Sequence, residues 1–196
     1  MNTAEKVVES YFRLCRKCFT LSDVKVIGGN NRQIDLLAYR VGKGEQYHAE
    51  TSVTHCQNWC PDAEELMDNF DRKFFGIPPK REGSKTDHAK GKIYYKNICE
   101  TYREHGLNPD KIQRVWVCWS VEDRKGVEKE IAKYCGRRKI QGNQIKLLTF
   151  MEDIIPALSE KVSTSNYEDD ILRLLSLSRQ YELQVRSGDR VTGPER

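Results

Sequence analysis

Residues 28–54 of this 196-residue chain read GGNNRQIDLLAYRVGKGEQYHAETSVT, and this stretch decides the fold. Ile34–Arg40 and Gln46–Thr54 are apolar, β-favouring runs. Gly42 and Gly44, which lie between them, are typical of a turn. The stretch therefore predicts two antiparallel strands joined as a hairpin, entered through a glycine- and asparagine-rich turn at Gly28.

Two acidic residues lie inside these predicted strands. Asp35 is surrounded by apolar residues in IDLLA, and Glu50 stands within HAETSV. Strand interiors disfavour Asp, and a buried carboxylate without a partner is costly. Carboxylates on adjacent strands also repel each other unless a cation lies between them. A divalent ion such as Mg²⁺, which prefers oxygen ligands, would account for both acids. The alternative is that they lie at exposed strand ends or pair with Lys or Arg.

The rest of the chain alternates between helical and strand-like patterns. Thr3 is a candidate cap for a first amphipathic helix, and Ser22–Ile27 resembles a short strand. The later predicted elements, in order, are helices Pro61–Phe75 and Lys90–His105, strand Lys111–Ser120, helix Glu122–Gly136, strand Gln144–Phe150, and helices Met151–Lys161 and Tyr167–Tyr181. This order indicates an α/β fold with a central mixed β-sheet flanked by helices.

The length fits one domain with a substantial core. We expect an α/β domain over residues 1–165, with a helical basic insertion at about 61–106. A further helix over 166–183 packs on this domain, and 184–196 forms a disordered tail.

The segments GGNNRQIDLLAY and YHAETSVTH together resemble the core of the PD-(D/E)xK nucleases, a superfamily that includes Holliday-junction resolvases and Mrr-type restriction enzymes. The resemblance implies a restriction-endonuclease-like fold and metal-dependent hydrolysis of DNA phosphodiester bonds with Mg²⁺ or Mn²⁺. It also suggests a setting in restriction or phage defence. It assigns Asp35, Glu50 and the backbone carbonyl of Thr51 as metal ligands. Glu9 resembles the first-helix acid that several branches place near the metal; its alternative is a solvated helix face.

The chain departs from the family pattern at Ser52, where the motif normally has lysine. Strand periodicity places Ser52 on the same face as Glu50, but a hydroxyl cannot supply positive charge. Three explanations remain open. The first is that the motif lysine has migrated to another element, with Lys92 and Lys96 as candidates. The second is that Ser52 suffices together with a second metal. The third is that cleavage has been lost. The last leaves a catalytically inactive module that binds nucleic acid or a partner protein.

A basic segment follows the hairpin. Between Asp71 and Arg103 there are nine Lys or Arg residues against four acidic residues. Lysine and arginine neutralise phosphates, so nucleic acid is the expected partner of this segment. The resemblance implies that the nucleic acid is DNA. The candidates for these contacts are Arg81, Lys85, Lys90 and Lys92. The alternative is a solvated pair of helices whose aromatic residues lie in the core.

The cysteines offer a rival interpretation. Cys15 and Cys18, with His55, Cys56 and Cys60, could form a zinc site, but buried free thiols on a helix are the simpler interpretation of Cys15 and Cys18. The odd total of seven cysteines argues against a fully paired disulfide framework. With no secretion signal or membrane-length apolar run, we expect a cytoplasmic protein that does not contact membranes. Both a homodimer and a partner protein of a larger system are compatible with the sequence.

Overall fold

The computed structural model describes residues 2–53, 62–78, 93–140 and 144–187. In chain order its elements are α1 (Thr3–Leu14), β1 (Phe19–Lys25), β2 (Gln33–Arg40), β3 (Glu45–Ser52), α2 (Ala63–Phe74), α3 (Tyr95–Glu104), β4 (Ile112–Cys118), α4 (Arg124–Arg137), β5 (Lys146–Thr149), α5 (Ile155–Lys161) and α6 (Asp170–Ser187). A short π-helical turn, Phe150–Ile154, leads directly into α5.

The described strands form one mixed sheet in the order β1-β2-β3-β4-β5. β2 is antiparallel to both β1 and β3, whereas β4 runs parallel to both β3 and β5. The parallel pairs need crossover connections, and α4 supplies the one between β4 and β5. The predicted α/β class with a mixed sheet is therefore confirmed, and so is the predicted antiparallel hairpin of β2 and β3.

One face of the sheet is almost wholly apolar. Leu36, Ala38, Ala49, Val115 and Val117 contribute to a buried cluster on this face, packed against α1 and α5. Successive strand residues point to opposite faces, so their neighbours project the other way.

The opposite face carries the polar residues. Here α2 packs Leu66, Phe70 and Phe74 against Trp116 of β4. Farther along, α3 packs Ile98 and Tyr102 against residues of β1, β2 and the start of β4. Helices α2 and α3 therefore cover the face from which both predicted acids project.

Several element boundaries differ from the predictions. The cap of α1 is Asn2 rather than Thr3, because Asn2 accepts from the Glu5 amide while Glu5 bonds back to the Asn2 amide, a capping box. β1 begins at Phe19, three residues before the predicted start. α6 continues to Ser187, beyond the predicted end of the C-terminal helix, and residues 188–196 lie outside the described chain. None of the described helices is long and apolar enough to cross a membrane.

Candidate active site

Asp35 and Glu50 lie close together on the face covered by α2 and α3. The β2–β3 register pairs Leu36 with Ala49, so one further step along the hairpin places Asp35 opposite Glu50. Glu50 is fully buried, and the Asp35 side chain is 13% exposed. The hairpin therefore brings the two predicted acids to the same end of the sheet.

Lys73, in the last turn of α2, contacts both carboxylates. Its Nζ lies 2.5 Å from Glu50 Oε2 and 3.3 Å from Asp35 Oδ1. Phe70 and Phe74, fully buried on the same helix, fix the position of this turn on the sheet. Since one ammonium group reaches both acids, the two carboxylates are close enough to share a single cation.

The lysine at this site is not one that we predicted. Lys96 lies exposed on α3, and Lys92 is outside the described residues. Sequence reasoning missed Lys73, although a signal was present. Lys73 follows Leu66 by seven residues and Phe70 by three, so it stands within the core-facing stripe of an amphipathic helix, where lysine is unusual.

Thr51 fixes Asp35 through its amide. The Thr51 N–H donates to Asp35 Oδ2 over 2.8 Å, while the resemblance had assigned a role to the Thr51 carbonyl. Ser52, the final residue of β3, pairs with Cys118 of β4 and is partly buried. Lys73, and not Ser52, is the positively charged residue that contacts the two acids.

A buried chain of hydrogen bonds holds Glu50 from behind. His48 Nε2 lies 2.7 Å from Glu50 Oε1, and His48 Nδ1 lies 2.5 Å from the Tyr102 hydroxyl. Burial lowers the pKa of His48, so the ring is neutral. Because a carboxylate only accepts hydrogen bonds, Nε2 carries the proton and Nδ1 accepts from Tyr102. The two bonds fix one orientation of the Glu50 side chain.

The two acids have opposite pKa changes. Burial and the neighbouring charge of Glu50 raise the pKa of Asp35 to about 7, against the opposing effects of Lys73 and the Thr51 amide. Burial alone would raise the pKa of Glu50, but the His48 hydrogen bond and the Lys73 charge outweigh it and hold that pKa below its ordinary value. The charges of Glu50 and Asp35 outweigh burial at Lys73 and raise its pKa. One lysine therefore compensates Glu50 but leaves Asp35 only partly compensated.

An open cleft of about 740 Å³ adjoins the pair. Asp35 and Lys73 line it together with Glu5, Asp23, Arg32 and Arg72. Asp23 adopts a left-handed backbone conformation with φ 57° within β1, and its carboxylate accepts from Gln33 Nε2 over 2.5 Å. The cleft thus combines acidic residues near Asp35 with arginines at its rim.

The first-helix acid near Asp35 is Glu5 rather than Glu9. Glu5 shares the cleft, and its charge contributes to raising the pKa of Asp35. Glu9, one helical turn later, accepts from the Thr20 hydroxyl over 2.8 Å and lines a different cavity. The structure does not bring Glu9 to the carboxylate pair.

The remaining predicted sites divide into two groups. Arg81, Lys85, Lys90 and Lys92 lie outside the described residues, as do His55, Cys56 and Cys60. Cys18 belongs to the core cluster below α1, and Cys15 packs against this cluster. The Cys15 thiol contacts the Ala157 carbonyl, and the Cys18 thiol contacts the Arg16 carbonyl. Within residues 2–53, 62–78, 93–140 and 144–187, no three His, Cys, Asp or Glu side chains come together as a metal site.

No protein-family model and no curated protein matches this chain. Among solved structures, the chain is similar to the crystal structure of a protein of unknown function, AF1548. The identity is 16% and the TM-score is 0.43, over 94% of this chain and 77% of that one.

Proposed function

We propose that this protein is a metal-dependent nuclease of the restriction-endonuclease-like kind, which hydrolyses phosphodiester bonds of DNA. The observation that carries the proposal is Lys73, which contacts both Asp35 and Glu50 beside an open cleft. Two carboxylates and one lysine are the groups of the PD-(D/E)xK motif, with the lysine supplied by α2 instead of β3. Restriction or phage defence is the setting that this family suggests.

The residues fit a divalent ion. Mg²⁺ is usually held by one or two carboxylates, with water and substrate phosphates as the other ligands, so a cluster of three acids is not required. The pKa of Asp35 is raised to about 7, largely by burial and Glu50, which indicates a negative charge that Lys73 does not fully offset. An added cation at Asp35 and Glu50 would offset it.

Each residue then has a distinct part. Asp35 and Glu50 would hold Mg²⁺ or Mn²⁺, with Thr51 fixing Asp35 and His48 fixing Glu50. When bound, such an ion promotes formation of hydroxide from water and screens charge on the phosphoryl group. Lys73 places a further positive charge beside the reacting phosphate.

Arg32 and Arg72 extend positive charge along the cleft. The Arg32 guanidinium donates to the Arg72 carbonyl over 2.8 Å and stacks over the Tyr94 ring at 4.8 Å, so it is held at the rim. Guanidinium groups at such a rim suit backbone phosphates. Among the described residues, these two arginines are the observation that supports nucleic acid as the partner.

A second candidate function is a catalytically silent module that binds nucleic acid or a partner protein. The observation that favours it is the same ion pair, because Lys73 already occupies a position between the two carboxylates and Ser52 stands at the motif's lysine position. In that case Lys73 would serve as a structural counter-ion.

A cleavage assay separates the two candidates. Plasmid, linear duplex and single-stranded DNA are incubated with Mg²⁺ or Mn²⁺, and with EDTA as the metal-free arm. For a nuclease, cleavage requires metal, Asp35→Asn and Glu50→Gln abolish it, and Lys73→Met lowers the rate by about 100-fold. Lys96→Met is the matched control, since it removes an exposed lysine of the neighbouring helix, and it leaves the rate unchanged.

The silent module predicts a different pattern. Wild-type protein cleaves none of the substrates with either metal, and calorimetry detects no metal binding that depends on Asp35 and Glu50. Equal loss in Lys73→Met and Lys96→Met would also contradict the proposed role of Lys73.

A further inference from the structure

A second open cavity, of about 570 Å³, lies on the same face of the sheet but away from the carboxylate pair. It is bordered by Phe75 after α2, Tyr95 of α3, Arg114 of β4, and Arg138 and Lys139 after α4. Asp35, Glu50 and Lys73 do not line it. Its volume lies within the range of about 300–1,000 Å³ found for small-molecule sites.

Arg114 is the unusual residue of this cavity. It is 4% exposed, and no carboxylate lies within ion-pair distance of it in the described part of the chain. One of its terminal nitrogens donates to the Tyr95 hydroxyl over 3.3 Å, and its Nε has no hydrogen-bond partner. The guanidinium also lies over the Phe75 ring, 5.2 Å from its centroid.

Such an arginine is unfavourable for folding alone. Leaving the buried Nε–H and the buried positive charge of a guanidinium without partners costs free energy. A neutral hydroxyl and an aromatic ring compensate only part of this. An anion seated in the cavity would supply the missing negative charge.

The surroundings of Arg114 are also positive. The Arg138 guanidinium lies 5.7 Å from the centroid of the same Phe75 ring, and it is held there by Asp71 and Tyr134. Lys139 is exposed at the end of α4. Asp110 is the acidic residue among those lining the cavity. Positive charge therefore predominates in this cavity.

We infer that this cavity binds the phosphate group of a nucleotide, with Arg114 as the principal anion contact. A phosphate carries more negative charge than a carboxylate and accepts bidentate hydrogen bonds from guanidinium groups, which matches two arginines and a lysine. The rest of the lining suits a planar, largely apolar body. Tyr95 offers an exposed ring for stacking, and Ile77, Ile93 and Ile140 are apolar walls.

The inference is independent of DNA cleavage at the carboxylate pair. Arg114 pairs in register with His48 on β3, two residues before Glu50, so the cavity lies toward the opposite end of the strands. The nucleotide has two possible sources with the same chemistry: a free mononucleotide or the phosphorylated end of a nucleic-acid strand.

Calorimetric titration of the full chain in EDTA tests the inference. The probes are AMP, inorganic phosphate, adenosine, and a short 5′-phosphorylated oligonucleotide. We expect AMP to bind more tightly than either phosphate or adenosine. Arg114→Met should weaken AMP binding by about tenfold or more, since a charge-assisted hydrogen bond is lost. Lys139→Met, at an exposed position where folding is not at risk, should weaken it by about threefold.

Arg137→Met is the matched control, because Arg137 is an exposed arginine at the end of α4 that does not line the cavity. We expect it to bind AMP as the wild type does. Arg114→Met should melt no lower than the wild type, since replacing an uncompensated buried charge by an apolar chain is neutral or stabilising. Tighter binding of AMP than of the oligonucleotide assigns the free nucleotide, and the reverse assigns a strand end.

Three results would overturn the inference: no AMP binding by the wild type at millimolar concentration, equal weakening in Arg114→Met and Arg137→Met, or adenosine binding as tightly as AMP. The inference would also be contradicted if Arg114→Met melts at a lower temperature than the wild type and Lys139→Met binds AMP as tightly as the wild type. That combination would identify Arg114 as a structural residue.

Discussion

Replacing Asp35 by Asn should stabilise the metal-free protein at neutral to alkaline pH while removing the proposed metal site. In the folded chain, burial and Glu50 move the pKa of Asp35 from 3.8 to about 7. In the unfolded chain the same carboxyl returns to its ordinary value. Asn imitates the protonated carboxyl in shape and can still accept from the Thr51 amide. The comparison therefore measures the cost of keeping Asp35 ionised inside the fold.

The sign follows from proton uptake. Between about pH 4 and pH 7 the folded chain retains a proton on Asp35 that the unfolded chain releases, so wild-type stability falls as the pH rises through this window. At roughly 1.4 kcal/mol per pKa unit, the complete effect above pH 7 is about 4 kcal/mol. Since an amide is a weaker partner than a carboxyl for Lys73, we expect Asp35→Asn to gain about 2–4 kcal/mol at pH 8.

Urea unfolding in EDTA, at pH 4 and pH 8, measures this difference. The gain should be near zero at pH 4 and largest at pH 8, with an unchanged m-value. The substitution Asp35→Glu is the charge-retaining control and should show no such gain. If Asp35→Asn is less stable than the wild type at pH 8, the carboxylates and Lys73 form a fully compensated ion network, and the reasoning fails.

Three further predictions concern neighbouring groups. Mn²⁺ should raise the melting temperature of the wild type but not that of Asp35→Asn. The rise should be larger at pH 8 than at pH 6, because Asp35 must lose its proton before it can bind metal. Equal rises at both pH values in differential scanning fluorimetry would contradict this prediction. His48→Ala should destabilise the fold by about 3 kcal/mol, because it leaves Glu50 Oε1 and the Tyr102 hydroxyl without their buried partner, while Lys73 still pairs with Glu50 Oε2. Tyr102→Phe should cost only about 1–2 kcal/mol. Chemical denaturation that gives the reverse order would refute the hydrogen-bond chain. Combined replacement of Arg32 and Arg72 by Ala should weaken DNA binding. It should also reduce the slope of the logarithm of the binding constant against the logarithm of salt concentration by about one for each lost phosphate contact. An unchanged slope in fluorescence anisotropy titrations would show that these arginines do not contact DNA.

The hairpin and its acids could be predicted because their signals are local. Strand alternation and the turn at Gly42 and Gly44 fix the pairing within a short stretch of chain, and the pairing in turn places Asp35 opposite Glu50. Both acids stood out because charged residues are unusual inside apolar strands.

The lysine could not be placed in the same way, because its position depends on how α2 packs over the sheet. Lys73 is 23 residues from Glu50 in the sequence, and no local pattern specifies the angle at which a helix crosses two strands. The sequence could not show whether Glu5 or Glu9 lies near Asp35, for the same reason. The two acids are one turn apart on one helix face, so only the position of α1 along β2 decides which approaches Asp35.

Arg114 meets the criterion that identified Asp35, since it is a charged residue inside the apolar strand IQRVWVC. The sequence could therefore have indicated it as unusual. What it could not show is that no carboxylate approaches Arg114 within the described chain, because ion pairs with distant segments depend on tertiary packing. The lack of such a partner among the described residues, rather than the residue type, is what supports the proposed anion site.

One face of three adjacent strands carries Arg114, His48, Glu50 and Asp35, while the opposite face is packed with apolar residues. The apolar face and the aromatic contacts of α2 bury most of the sheet. We therefore expect that the charges of Asp35 and Arg114 are not needed for folding. This division predicts a joint result: both Asp35→Asn and Arg114→Met retain or gain stability, and each loses a different ligand. If the polar face were instead a structural network, removing either charge would strand its partners and destabilise the protein by about 3–5 kcal/mol. Measuring both variants in one denaturation series, alongside the neutral change Lys96→Met, distinguishes a face kept for binding from a face kept for folding.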